Sequence, residues 1–328
     1  MPPHPHRPPQ LAGQVFRGSD AVRRGLLSRH HLRGASWVRL RQDVYADARL
    51  DRDHALACRA VLLRMPAGTL IAGPSAAHLH GVAHAAGFTD DVHVLLPASV
   101  RADSHPGVRV HQAPLVSPRD GLLVPAHAVR GGDSLASGGT TTAATSTSIA
   151  PATSHRATAP AACAWETAVW ADPVRAVGII DGLLRVGAVS RSGLATEAAR
   201  NAGRPGGRRA SWVFGLADGC ARSPAESHLR VRLVFAGLPR PVAQHPVRVS
   251  AGLVRHADLA WPEFRVAVEY AVHRPAEPDV THVDRCRLHQ LVEAGWLVLH
   301  VTGRRLRTEF PALVREIRGA LVARGWRP

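Results

Sequence analysis

Residues 131–160 run through SGGTTTAATSTSIAPATS, a stretch too rich in small and polar side chains to bury the surface that folding requires. The chain is therefore expected to fold as separate blocks on either side of a linker. Its 328 residues leave room for about two domains of roughly 150 residues each. With 45% hydrophobic and 20% charged residues the flanking blocks can build real cores, which excludes wholesale disorder. No apolar run reaches the ~18 residues needed to cross a bilayer. The opening MPPHPHRPPQ has no apolar signal segment, so a cytoplasmic protein without a membrane partner is expected. Cys58, Cys163, Cys220 and Cys286 lie far apart with no CxxC pair, which indicates neither a zinc ribbon nor a disulfide framework.

All 41 basic residues are arginines, set against 25 acids for a formal net charge of +16 at pH 7. Guanidinium groups pair with phosphate bidentately, and counterion release favours their contact with a polyanion, so DNA is the natural partner. A GC-rich coding sequence would also replace lysine by arginine with no functional reason, and both explanations stand.

Ahead of the linker, residues 1–18 are expected to be a disordered tail. A short helix is expected from near Ser19, with Val22, Leu26 and Leu27 on one side, and a second from the N-cap Ser28, carrying Leu32. Trp37 to Tyr45 alternates like a hairpin turning near Gln42 and Asp43. Two small helices and a basic hairpin make a winged-helix-like unit over 19–130. Its second helix, with Arg29 and Arg33, would enter the major groove while Arg39 and Arg41 lie near phosphates. An ordinary α+β unit with solvated arginines fits the same pattern. Asp53 to Met65 reads as an amphipathic helix, Ser75 as the cap of another through His80, and 92–96 and 108–112 as strands. His78 and His80 stand two apart and so face different ways on a helix, which argues against a metal site. A helical middle region is expected over 161–221.

Over 222–328 the signals become orderly. Ser223-Pro224-Ala225-Glu226 places serine at a helix cap, proline in the first helical position and glutamate three after the cap. Strands over 242–249, 254–260 and 265–270, a helix over 281–294, a strand over 296–301 and a last helix over 308–324 give the order αβββαβ with a trailing helix. Asp258 interrupts the apolar strand VRHADLAW, and Glu269 interrupts RVAVEY. A hairpin turn over 261–264 pairs Ala260 with Arg265 and Asp258 with Ala267, which makes Asp258 and Glu269 diagonal neighbours roughly 7–8 Å apart at Cα. Two such carboxylates repel if left alone but can share a divalent ion such as magnesium. Each could equally pair with an arginine such as Arg255 or Arg265.

The stretches SPAESHLRVRLVFAGLP, RHADLAWPEFRVAVEY and VDRCRLHQLVEAGWLVLHVT resemble the DUF559 family, relatives of very-short-patch-repair endonucleases in the PD-(D/E)XK superfamily. The resemblance implies an α+β, restriction-endonuclease-like fold in which Glu226, Asp258 and Glu269 are the catalytic acids. Magnesium would be held by Asp258 and Glu269. Ser28 to Tyr45 and AGPSAAHLHGV resemble the N-terminal region of actinobacterial proteins grouped with AbiEi-type antitoxins, which implies a DNA-binding winged helix and a toxin or regulatory protein as partner. The chain departs from the nuclease pattern after Glu269: Ala271 stands where the superfamily commonly has lysine, and the chain contains no lysine. His273 could serve as proton handler and Arg274 as phosphate clamp. Two readings follow, a magnesium-dependent endonuclease and a non-catalytic DNA-binding regulator or antitoxin.

Overall fold

The structure is a computed structural model and describes residues 6–97, 99–112, 121–124, 155–249, 253–271 and 289–328. It is mixed α+β and divides into two compact units, Met1–Trp170 and Ala171–Pro328. Most of the low-complexity stretch lies outside the described residues. Among these, no helix is long and apolar enough to cross a membrane.

Unit 1 opens with β1 (Val15–Arg17), α1 (Gly18–Arg23), a 3-10 turn (His31–Arg33), β2 (Trp37–Arg41) and β3 (Val44–Asp47), the strands pairing in the order β1-β3-β2. The hairpin is where alternation put it, with Asp43 in the left-handed region at its turn. The second expected helix is only the 3-10 turn: Ser28 caps it, accepting from the His31 N–H at 3.1 Å, but Gly34 follows too soon for a longer helix. Leu11, Phe16, Ala21, Leu27 and Trp37 form the core of this part, Phe16 meeting Trp37 edge to face at 5.1 Å.

Next come α2 (His54–Leu62), capped by Asp53, β4 (Leu70–Ile71), α3 (Gly73–Leu79), β5 (Val92–Leu96), β6 (Val108–Gln112), β7 (Gly121–Val124), β8 (His155–Thr158) and α4 (Pro160–Trp170). The sheet order is β6-β5-β4-β8-β7. The last residues of the expected linker are thus the strand β8. Ser75 lies inside α3 rather than at its cap; its hydroxyl binds His54 at 2.8 Å and accepts from the His93 N–H at 2.9 Å. His78 and His80 each bond a backbone carbonyl, those of Ala83 and Thr158. The helical middle region is divided between the units. Glu166 on α4 binds the Gly73 N–H at 2.7 Å and the Thr158 hydroxyl at 2.9 Å, which fastens α4 to unit 1. Asp172 and Pro173 then break the helix and start a new one.

Unit 2 contains α5 (Pro173–Arg185), α6 (Arg191–Arg200), α7 (Gly207–Leu216) and α8 (Pro224–Phe235), then β9 (Val242–Arg248), β10 (Val254–Trp261) and β11 (Val266–Ala271). Residues 289–293 are helical and lead to β12 (Leu297–Thr302), α9 (Gly303–Thr308) and α10 (Phe310–Ala323). The sheet order is β12-β11-β10-β9, antiparallel except for the β11/β12 pair. That parallel pair needs a crossover of a dozen or more residues, which the span from Ala271 to Leu297 supplies. One sheet face packs Leu259, Trp261, Val266, Val268 and Val301 against Leu229 and Leu233 of α8 and Leu313, Ile317 and Leu321 of α10. The other buries Ala260 and Ala267 with Leu291 and Trp296. Full burial of a leucine or isoleucine contributes roughly 1.5–3 kcal/mol, so these side chains hold α8 rigidly against the strands.

Candidate functional site

Asp258 and Glu269 face each other more directly than the hairpin pattern implies. A 3-10 turn at Pro262–Phe264 and Arg265 in the left-handed region (φ 50°) make the connection a four-residue one, so Trp261 pairs with Val266, Ala260 with Ala267 and Leu259 with Val268. One residue further, this register sets Asp258 opposite Glu269, not diagonal to it. On the other side, Ala257 pairs with His245 and Leu259 with Ala243, which sets Gln244 opposite Asp258; β12 places His300 beside Glu269. One row of the sheet therefore reads Gln244, Asp258, Glu269, His300.

At this row the regular β10/β11 ladder gives way to the carboxylates. Asp258 Oδ2 accepts from the Tyr270 N–H at 2.9 Å, and Glu269 Oε1 accepts from the Asp258 N–H at 3.2 Å. Asp258 Oδ1 accepts from Gln244 Nε2 at 3.1 Å, and the same nitrogen donates to Glu226 Oε2 at 3.0 Å. Gln244, itself in the left-handed region at φ 50°, is the bridge that joins the helix acid to Asp258. All three carboxylates are buried.

Glu226 reaches this point because of how α8 begins. Ser223 Oγ accepts from the Glu226 N–H at 3.2 Å and donates to Glu226 Oε1 at 3.0 Å, while the Arg222 N–H donates to Oε2 at 2.9 Å. The capping-box role read from the sequence and a place beside Asp258 are thus held by one side chain. Burial pushes the Glu226 carboxyl above its ordinary range; the backbone bond from Arg222 opposes the shift, and the nearby Asp258 charge adds to it. Arg255, one of the arginines considered as a partner for these acids, donates to Gln290 at 2.8 Å.

Among the described residues no group of three or more His, Cys, Asp or Glu side chains has the arrangement of a metal centre. Two adjacent carboxylates nonetheless match the habit of magnesium, which is commonly held by one or two carboxylates and completed by water and substrate phosphate. The all-oxygen donor set suits such a hard ion. Gln244 and the Tyr270 N–H were not foreseen, because a polar residue in the strand VAQHPVR signals nothing until the register is known. His273 and Arg274 lie outside the described residues, as does the side chain of Ala271.

The expected DNA-contacting arginines of unit 1 divide. Arg29, Arg33 and Arg39 are exposed. Arg41 is half-buried and donates to the carbonyls of Gly107 at 2.8 Å and Pro106 at 3.4 Å, so it ties the hairpin to the neighbouring loop.

No family model matches the chain, and no solved structure matches it. It is similar to two curated proteins of Mycobacterium tuberculosis, uncharacterized protein MT2308 of strain CDC 1551 / Oshkosh and uncharacterized protein Rv2248 of strain H37Rv. Each is 35% identical over 146 residues, a match that covers 44% of this chain and 54% of the relative. The chain spans about half the length of the curated relatives it matches.

Proposed function

We propose that the protein binds DNA and that unit 2 hydrolyses phosphodiester bonds with magnesium, as a restriction-endonuclease-like domain. The observation that carries this reading is the junction of three buried acids drawn from a helix and two strands, Glu226 and Asp258 bridged by Gln244 and Glu269 accepting from the Asp258 N–H. Asp258 and Glu269 would hold the ion, whose chemistry is to neutralise charge on a phosphoryl oxygen and to lower the pKa of a bound water. The Tyr270 N–H and the Gln244 amide orient Asp258, and Glu226 would exchange a proton with a leaving group or water. The exposed Arg29, Arg33 and Arg39 give unit 1 positive charge with which to hold the DNA backbone.

A second reading, a regulator or antitoxin that binds DNA or a toxin partner without cutting, is favoured by Ala271 at the position where lysine is commonly found. Plasmid DNA incubated with magnesium or manganese separates the two. The proposed hydrolysis predicts nicking that falls at least about 100-fold in Asp258→Ala and in Glu269→Ala, the scale of losing a group that acts in the transition state. Retarded migration without nicking, identical in the wild type and both variants, establishes the regulator instead.

A further inference from the structure

Unit 2 contains a second feature at the same end of its sheet, a cavity of about 450 Å³ lined by Arg175, His228, Arg232, Tyr270, Gly303 and Arg307. Its volume lies within the range of pockets that bury small ligands. Three guanidinium groups and an imidazole therefore line one small space. One acid, Asp172, also lines it and offsets part of that charge; its carboxylate caps α5, accepting from the N–H groups of Val174 at 2.9 Å and Arg175 at 3.4 Å. Arg232 is fixed at the base, donating to the Leu306 carbonyl at 2.8 Å with its guanidinium 3.8 Å from the Phe310 ring centroid. Arg175 and Arg307 are exposed at the edges. A Cβ on Gly303 would stand 3.0 Å from the Tyr270 hydroxyl and 3.2 Å from Arg307 Nη1, so glycine there leaves those two donors a shared opening.

The cavity adjoins the carboxylate row through two pairs of chain neighbours. Ala225 lines it beside Glu226, and Tyr270 lines it beside Glu269 while its own N–H holds Asp258. Side chains alternate along a strand, so Tyr270 and Glu269 leave β11 on opposite sides. A nucleotide strand that crosses the end of β11 would meet cations on one side and carboxylates on the other. The cavity opens to solvent between exposed Arg175 and Arg307 and is small against the width of a duplex, so a strand end reaches Arg232 more readily than a continuous duplex does. We infer that the cavity binds the terminal phosphate of a nucleic-acid strand and so sets the distance from that end at which the carboxylates act. This rests on the hydrolytic reading for its consequence, but the binding itself is separable from cutting.

The test is a binding titration in chelator, where no metal-dependent cutting occurs. Ten-nucleotide single strands carry a dye at one end and either phosphate or hydroxyl at the other, in both polarities, and are titrated with the full chain. The inference predicts that one polarity of phosphorylated strand binds at least about tenfold tighter than its hydroxyl counterpart. In Arg307→Gln and Arg175→Gln, both surface changes, that preference falls to about threefold or less while the hydroxyl strand binds as before. Equal affinity for phosphorylated and hydroxyl strands overturns the inference, as does a preference that survives both substitutions. Inorganic phosphate is the competing arm: if it binds through Arg307 while strands show no end preference, the cavity takes free phosphate and the strand-end assignment falls. Absence of plasmid nicking alongside an Arg307-dependent end preference removes the hydrolytic reading and leaves the phosphate site standing.

Discussion

One helix, α8, buries two charges a single turn apart, and they are treated in opposite ways. Arg230 is 1% exposed and donates to Asp181 of α5, 2% exposed, at 2.7 Å, as well as to the Leu216 carbonyl. Glu226 points into the strand acids and shares the neutral amide of Gln244 with Asp258. Opposite charges cancel at the first site, which locks α5 to α8. At the second, like charges are gathered, with the Gln244 amide and the Tyr270 and Asp258 N–H groups among the donors that hold them, an arrangement whose mutual repulsion favours folding less. Buried charge is thus paired with its opposite at Arg230 and gathered with its like at Glu226.

The largest effect that sharpens this contrast is expected at the architectural site. Arg230→Met strands the Asp181 carboxylate in a buried position and is expected to lower the stability of unit 2 by about 3–5 kcal/mol in urea titrations of the full chain. Restoring neutrality with Asp181→Asn in the same chain is expected to recover a large part of that loss. A loss below about 1 kcal/mol for Arg230→Met would mean that the pair is solvated and that the two sites do not differ in kind.

A middle-sized effect is expected at the carboxylate row. Glu269→Gln keeps an oxygen able to accept from the Asp258 N–H while removing one of the gathered charges, so without metal its stability is expected to stay within about 1 kcal/mol of wild type. Added magnesium then separates the proteins. At ten times its dissociation constant a ligand that binds only the folded state adds about 1.4 kcal/mol. The wild type is expected to show that rise in thermal melts and the Glu269→Gln variant to lose it. Equal magnesium responses in both proteins would place the ion elsewhere.

Of the two sites, only the elements that carry the acids could be read before any coordinates. The Ser-Pro-x-Glu start of α8, the alternation of β5, β6 and β9–β11, and the two acids interrupting apolar strands are local patterns, and local patterns survive in the sequence. What escaped depends on register and distant contact. The four-residue connection ending at Arg265 moved the pairing so that Asp258 meets Glu269 directly, and only that register reveals Gln244 as the third member of the row. Nothing in the sequence marks Arg230, because its partner Asp181 lies 49 residues away on α5. Glu166 likewise assigns α4 to unit 1 through a bond to Gly73 that no spacing rule anticipates. In unit 1 the second short helix shrank to a 3-10 turn, since Ser28 and Gly34 leave too few residues between cap and stop.

The smallest effect concerns pH. Because the folded-state pKa of Glu226 is raised above its ordinary value of 4.5, chiefly by burial, the folded protein binds this proton more tightly than the unfolded chain does. The associated stability is fully present below about pH 4.5 and is lost as pH rises through the raised folded value. Glu226→Gln is uncharged at every pH and cannot lose it. The variant is therefore expected to gain on the wild type as pH rises from about 4 to about 7, read as the difference in urea midpoints at the two values. The Arg230–Asp181 pair is common to both proteins and cancels in that difference, so the slope reports the acidic site alone. Parallel midpoints, or a variant that loses ground as pH rises, would mean that the Ser223, Arg222 and Gln244 donors outweigh burial at Glu226, and that the helix acid is held as tightly as an ordinary capping residue.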